Sequence, residues 1–335
     1  MLGREFVAEY AKKGLVAWEA AALSIARQDG LVPWAWKDLT LASGTDSVTL
    51  KVQSDVLAIG TFEDHVRLPL TPGTAQSILN LGIFGGPALL PTPWLEYQIW
   101  RATSLGRLQP TPMVPNKGPD LDQYFAHSRI IDAQIAASGL APGSLVSGIK
   151  KGVVVANFYK PGKVLLFGWY RAMFIPVPGD WGSPAANASA KLDGPATDIF
   201  DDGHPMVAPN GYQWPNRQPI QPKSWIHDQF YLDYSHGIRV IAPTALVTTA
   251  GQTVVMPTQE LYQHPTLSRL VSNEGPIKVP RYPAAVPPVP LRPVLLAEYP
   301  AAVDVIEGGS DAYPSSMSEH GLAEIARIKR EREGG

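Results

Sequence analysis

The sequence predicts an α+β fold: an antiparallel sheet core over residues 145–256, N-terminal helices packed on one side, and a proline-rich C-terminal arm. Three observations predict it. Helical periodicity dominates the first 140 residues, while strand-like runs follow one another closely after residue 145. Strand and helix do not alternate regularly, which argues against a doubly wound sheet. Proline reaches 33 of 335 residues, about twice its usual share, and much of it falls late in the chain.

The elements follow in order. In residues 4–28, Phe6, Tyr10, Leu15, Trp18, Ala22 and Ile25 recur at three- to five-residue steps, with Gly14 as a possible break between two helices. Val48, Leu50 and Val52 alternate with polar residues, and the apolar run 56–60 reads as a buried strand. Asp64 and His65 fall at a hairpin tip expected to face solvent. Residues 74–81 and 93–104 read as helices, the first capped by Thr71 or Gly73, the second with Thr92 as cap and Pro93 in the first turn. Trp94, Tyr97 and Trp100 share a face of the second. That face is an aromatic core stripe or, alternatively, a sugar-stacking surface. Residues 108–119 form a proline-broken connector, and 122–138 a helix carrying His127 and Arg129.

Strands are expected at 145–149, 152–159 and 164–170, the last two joined by a turn at Lys160, Pro161 and Gly162. Lys150 and Lys151 sit at a strand start. Residues 172–218 are an irregular insert, read as a lid, with a weaker metal-binding reading for Asp198, Asp201, Asp202 and His204. A short strand at 253–256 and a helical piece near 260–270 follow. The arm at 276–303 is polyproline-like and lies along its own domain or docks on a neighbour. A charged amphipathic helix closes the chain at 315–333. The division expected is 1–120, 121–270 and 271–335.

Composition excludes several function classes. Net charge is −2 and charged residues are 17%; no dense Lys/Arg stripe points to nucleic acid. Cysteine is absent, so there is neither disulfide framework nor thiol nucleophile. Glu5, Glu9, Lys12, Lys13 and Glu19 interrupt any signal-peptide core, and no apolar run approaches the ~20 residues of a membrane span. The expected location is the cytoplasm at synthesis, with release by another route such as lysis, or association with a virion.

The densest chemistry lies in 219–247. From Trp225 on, strand alternation puts His227, Asp233, Ser235 and Arg239 on a polar face and Ile226, Leu232, Tyr234, His236, Ile238 and Val240 on a mostly apolar one. Asp233, Ser235 and Gly237 predict a break in that strand. Three chemistries fit. His227, Asp233 and His236 could hold a divalent metal, zinc or non-haem iron, with an open position for water. A histidine oriented by Asp233 could act as acid–base. Ser235 could be a nucleophile, although its neighbour His236 would face the other way along a strand. A purely structural reading competes: a capped turn with His236 in the core.

The segments 168–171 (GWYR), 219–222 (PIQP) and 233–239 (DYSHGIR), preceded by 146–155 (VSGIKKGVVV) and 89–93 (LLPTP), resemble a group of uncharacterised bacterial and phage-associated proteins over roughly residues 56–247. The resemblance implies a grouping and no activity. In that group the W-x-R hairpin runs almost directly into PIQP and an Asp follows the two lysines. Here residues 172–218 intervene and Gly152 stands in the Asp position.

Two functions are expected from these readings. One is a hydrolase of a polar polymer such as peptidoglycan. His227, Asp233 and His236 would bind or orient water, while Lys151 and Arg171 stabilise developing negative charge. The other is a structural or virion-type assembly protein that uses the 276–303 arm for homo-oligomer or partner docking.

Overall fold

The structure, a computed structural model, describes residues 1–103, 108, 113, 115–157, 161–168 and 228–291. Helices and an antiparallel sheet core make it α+β. The core sheet has four strands in the order β1 (Trp36–Ser43), β2 (Asp46–Gln53), β8 (Ile241–Thr249) and β9 (Gln252–Pro257), all antiparallel. Val48, Leu50, Val52, Ala245 and Val247 point into one hydrophobic cluster that runs from Phe6 to Tyr282. The sheet is therefore built from both halves of the chain. The division expected at residue 120 does not follow it, because β2 lies directly beside β8.

Two tight turns set the registers. Gly44, at φ 63°, closes the two-residue loop between Ser43 and Asp46. Ala250 and Gly251 both take positive φ between Thr249 and Gln252, as a turn matched to strand twist requires.

The helices follow the sequence closely. α1 (Gly3–Tyr10) and α2 (Leu15–Ala26) are separated at Gly14. α3 (Pro72–Leu79) and α4 (Pro93–Ala102) carry threonine caps: Thr71 Oγ1 accepts from Thr74 N and Thr92 Oγ1 from Leu95 N. α5 (Leu121–Ala137) is capped by Asp120. Trp18 of α2 meets Tyr124 of α5 edge-on at 6.1 Å. In α4, Tyr97 and Trp100 are buried and stacked at 6.2 Å, so the aromatic stripe belongs to the core rather than to a sugar-binding surface. No helix among the described residues is long and apolar enough to cross a membrane.

The hairpin of β3 (Ala58–Gly60) and β4 (His65–Arg67) differs from expectation. Its tip is covered, not solvated: Asp64 and His65 are buried, Gly3 N donates to Asp64 O at 3.0 Å, and Arg4 pairs with Asp64. Residues 145–149 form no strand. The second sheet is small: β5 (Lys151–Val153) lies between β6 (Leu166–Gly168, antiparallel) and β7 (His236–Gly237, parallel). The long strand expected from Trp225 is thus reduced, among the described residues, to the two residues of β7, with β8 following. α6 (Thr258–Gln263) and a 3₁₀ turn at Leu267–Leu270 complete the chain order.

Residues 276–291, the described part of the arm, pack by side chains and isolated bonds, without strand pairing. Arg281 donates to Ala88 O and Pro87 O, Tyr282 Oη donates to Val154 O, and Ala285 N donates to Ser77 Oγ. Asn157 clasps the start of the arm, donating from its amide N to Glu274 Oε2 at 2.6 Å and from Nδ2 to Pro276 O. Among the described residues, Glu274 Oε1 is buried without a hydrogen-bond partner. Burial raises the Glu274 carboxyl to about 7, although the Asn157 bond pulls it down. A carboxyl raised on folding contributes stability that is full below its unfolded value and lost as pH rises through its folded value. The wild type should therefore lose stability between about pH 4.5 and 7, and Glu274→Gln should not. Urea denaturation across that range checks it; parallel curves for the two proteins would refute the assignment.

Candidate functional site

β5 and β7 build the site. They run parallel with Lys151 opposite His236 and Gly152 opposite Gly237, so Lys151 and His236 project from the same face. Lys151 N donates to Ser235 O at 2.6 Å. Just before β7 the chain turns at Asp233. Its Oδ1 accepts from Ser235 N at 2.8 Å and from Ser235 Oγ, the local bonding by which Asp nucleates turns. The turn closes with His236 N donating to Asp233 O at 3.2 Å and brings His236 Nε2 to 3.6 Å from Asp233 Oδ1. Asp233 Oδ2 accepts from Tyr231 Oη at 3.0 Å and Asn116 Nδ2 at 3.1 Å.

Asp233, Ser235 and His236 are all buried, at 2%, 1% and 0% exposure. The polar face expected to meet solvent or a cleft is thus interior. Burial works against ionisation of Asp233, but the His236 ring, Lys151 and the bonds from Ser235 outweigh it and hold its carboxyl far below the usual range. Burial lowers the Lys151 ammonium, partly offset by Asp233.

Lys150 takes the other side of the strand. Its Nζ lies 2.9 Å from His127 Nδ1 on α5 and donates to the Tyr234 carbonyl. Burial and the Arg67 charge lower it to about 7, against the opposing pull of Asp233 and Asp55. Tyr234 packs edge-on against His127 at 4.9 Å. The close approach of the strands depends on Gly237: a Cβ there would lie 2.6 Å from Lys150 Cβ and 3.0 Å from Val56 Cγ1. A side chain at Gly152 would run into the Glu96 carboxyl, which burial raises and Arg239 pulls down.

No family model, curated protein or solved structure matches this chain. What the site can do is therefore read from its own geometry.

Of the residues singled out by sequence, Asp233, Ser235, His236 and Lys151 come together. His227 and Arg171 lie outside the described residues, as does the 172–218 insert with its acidic run. Among the described residues no three His, Cys, Asp or Glu side chains converge as metal ligands. Asp233 already accepts four donors and would have to give some up to bind a cation. Ser235 Oγ donates to Asp233, which ties the hydroxyl into the turn.

Sequence reading places Lys150 and His127 on their elements without a site role, and does not single out Arg67, Asp55, Asp132 or Glu96. One of them carried a usable signal. His127 sits three residues after Tyr124 and four before Ile131, on the buried stripe of α5. A histidine on such a stripe needs an interior partner.

Proposed function

We propose that this chain is a hydrolase with Asp233 and His236 as its acid–base pair and Lys151 as the cation beside it. The observation that carries the reading is the buried Asp233 carboxylate, which takes four hydrogen bonds and holds His236 Nε2 at 3.6 Å. Strongly perturbed ionisable groups in contact concentrate at functional sites, because an interior charge is costly to retain for stability alone. His236 is the group that would take a proton from attacking water and pass it to the leaving group. Asp233, 3.6 Å from Nε2, would offset the charge the ring gains. Lys151 would offset negative charge developing on the substrate, the role also expected of Arg171.

Peptidoglycan is the polymer to test first, because the resembled group includes phage-associated proteins. The experiment is dye release from purified peptidoglycan by the wild type and by His236→Gln. Release that falls at least ~100-fold in the variant supports the reading; equal release by both, or none from either, overturns it. The assembly-protein reading rests on the arm, whose described part packs on its own chain. Light scattering that showed a large multimer of the full chain would favour it.

A further inference from the structure

The proposed mechanism does not use Lys150 or His127, yet their contacts lead straight into the site. Lys150 Nζ donates to the carbonyl of Tyr234, the residue between Asp233 and Ser235. It is the side chain underneath the turn that aims the Asp233 carboxylate. His127 Nδ1 holds the same nitrogen at 2.9 Å, from a position that is 0% exposed. Gly237 lets β7 sit directly on the Lys150 stem.

We propose that Lys150, steadied by His127, is a positioning residue that clamps the Tyr234 carbonyl and so fixes the Asp233–His236 geometry. This rests on the reading of that pair as the acid–base machinery.

Donor and acceptor counting gives the clamp its character. A Lys150 ammonium has donors only, so His127 must then offer a bare Nδ1. A neutral Lys150 amine has one lone pair, which can accept from a protonated Nδ1 while two N–H groups remain for Tyr234. One proton can thus sit on either partner without releasing the carbonyl. Protons on both Lys150 Nζ and His127 Nδ1 would set donor against donor and break the bond. The two groups therefore titrate as a pair. The charged groups that bear on Lys150 are Arg67 from β4, Asp55 from the segment after β2 and Asp233 from the turn, with the His127 ring against it from α5. Burial and Arg67 bring the Lys150 step to about 7.

The Ser235 amide reports on the clamp, because it shares a peptide unit with the Tyr234 carbonyl. Its NMR resonance is followed from about pH 5 to 9 in the wild type and in Lys150→Met. A wild-type shift centred near 7 that is lost in the variant is expected. Superposable curves overturn the proposal. If Lys150→Met does not fold, ¹⁵N-labelled lysine in the wild type decides: the Lys150 Nζ and Ser235 transitions must coincide, and separate midpoints reject it. Where dye release is measurable, Lys150→Met should lower kcat about 100-fold with KM unchanged. The resonance result stands even if the chain proves not to be a hydrolase, so the two proposals fail separately.

Discussion

Arg67→Ala should cost about 3–5 kcal/mol of folding stability, enough to bring a domain of ordinary stability close to unfolding. The Arg67 side chain is 1% exposed. Its Nε donates to both oxygens of Asp55 at 3.1 Å, and Nη2 donates to Oδ2 at 2.7 Å. Nη1 reaches Asp132 Oδ1 at 2.7 Å and Ser128 O at 3.2 Å. Burial opposes the guanidinium charge, but Asp55 and Asp132 outweigh it. Removing the arginine leaves Asp55, 4% exposed, without its cation in the interior. Arg67→Lys should fall between, since an ammonium cannot reproduce the forked bonds. The control is Lys13→Ala: its pair with Glu9 spans 3.3 Å between side chains that are each 48% exposed, and the change should cost under ~1 kcal/mol. Urea denaturation measures all three, and an Arg67→Ala loss below ~1 kcal/mol would show that the network contributes no more than a surface pair.

The same network sets an acid limit. Burial would raise the Asp132 carboxyl, but the bond from His65, 3.3 Å away, and the Arg67 charge lower it to about 2. A carboxyl lowered on folding contributes stability above its unfolded value and loses it as pH falls toward its folded value. That contribution should disappear between about pH 4 and 2, and Arg67→Ala should flatten the acid limb there.

Local signals explain why the helices were legible and the site only half so. Gly14, Thr71, Thr92 and Pro93 mark ends through backbone chemistry that needs no partner. The Asp233 turn was readable for the same reason, since Asp bonding to its own backbone two residues on is local. The sheet was not: β2 pairs with β8 across nearly 200 residues of chain, and nothing in the alternation of Val48, Leu50 and Val52 names that partner. Arg67 follows the Asp64 and His65 tip in sequence, and no local signal marks its burial. Its partners, Asp55 and Asp132, are 12 and 65 residues away, so its burial depends on tertiary contact alone. Asp64 and His65 misled for the converse reason, because a polar hairpin tip reads as exposed until α1 is placed over it. Lys150 and Lys151 illustrate both cases. Alternation sends them to opposite sides, but only the fold puts His127 against one and Asp233 beside the other.

Asp233→Asn is expected to destabilise the fold by about 2–4 kcal/mol at neutral pH and to reduce the proposed hydrolytic activity about 10³–10⁴-fold. The substitution preserves shape. An Asn oxygen can still accept from Ser235 N, so the turn has its first bond. Its Nδ2 cannot accept, and the Tyr231 hydroxyl and the Asn116 amide lose the oxygen they share. The larger change is the charge. Without the anion, His236 loses the group that offsets the proton it would gain, and Lys151 loses a charge that counters its burial. The stability loss follows from sign. Asp233 is lowered on folding, so the native state gains from its ionisation above the ordinary carboxyl range and loses that gain as pH falls below it. The gap between wild type and Asp233→Asn should therefore be widest at neutral pH and narrow below about pH 4. Denaturation midpoints against pH test this even where no substrate turns over. An Asp233→Asn protein more stable than the wild type at neutral pH would mean that burial, and not His236, Lys151 and the four donors, dominates at this carboxylate.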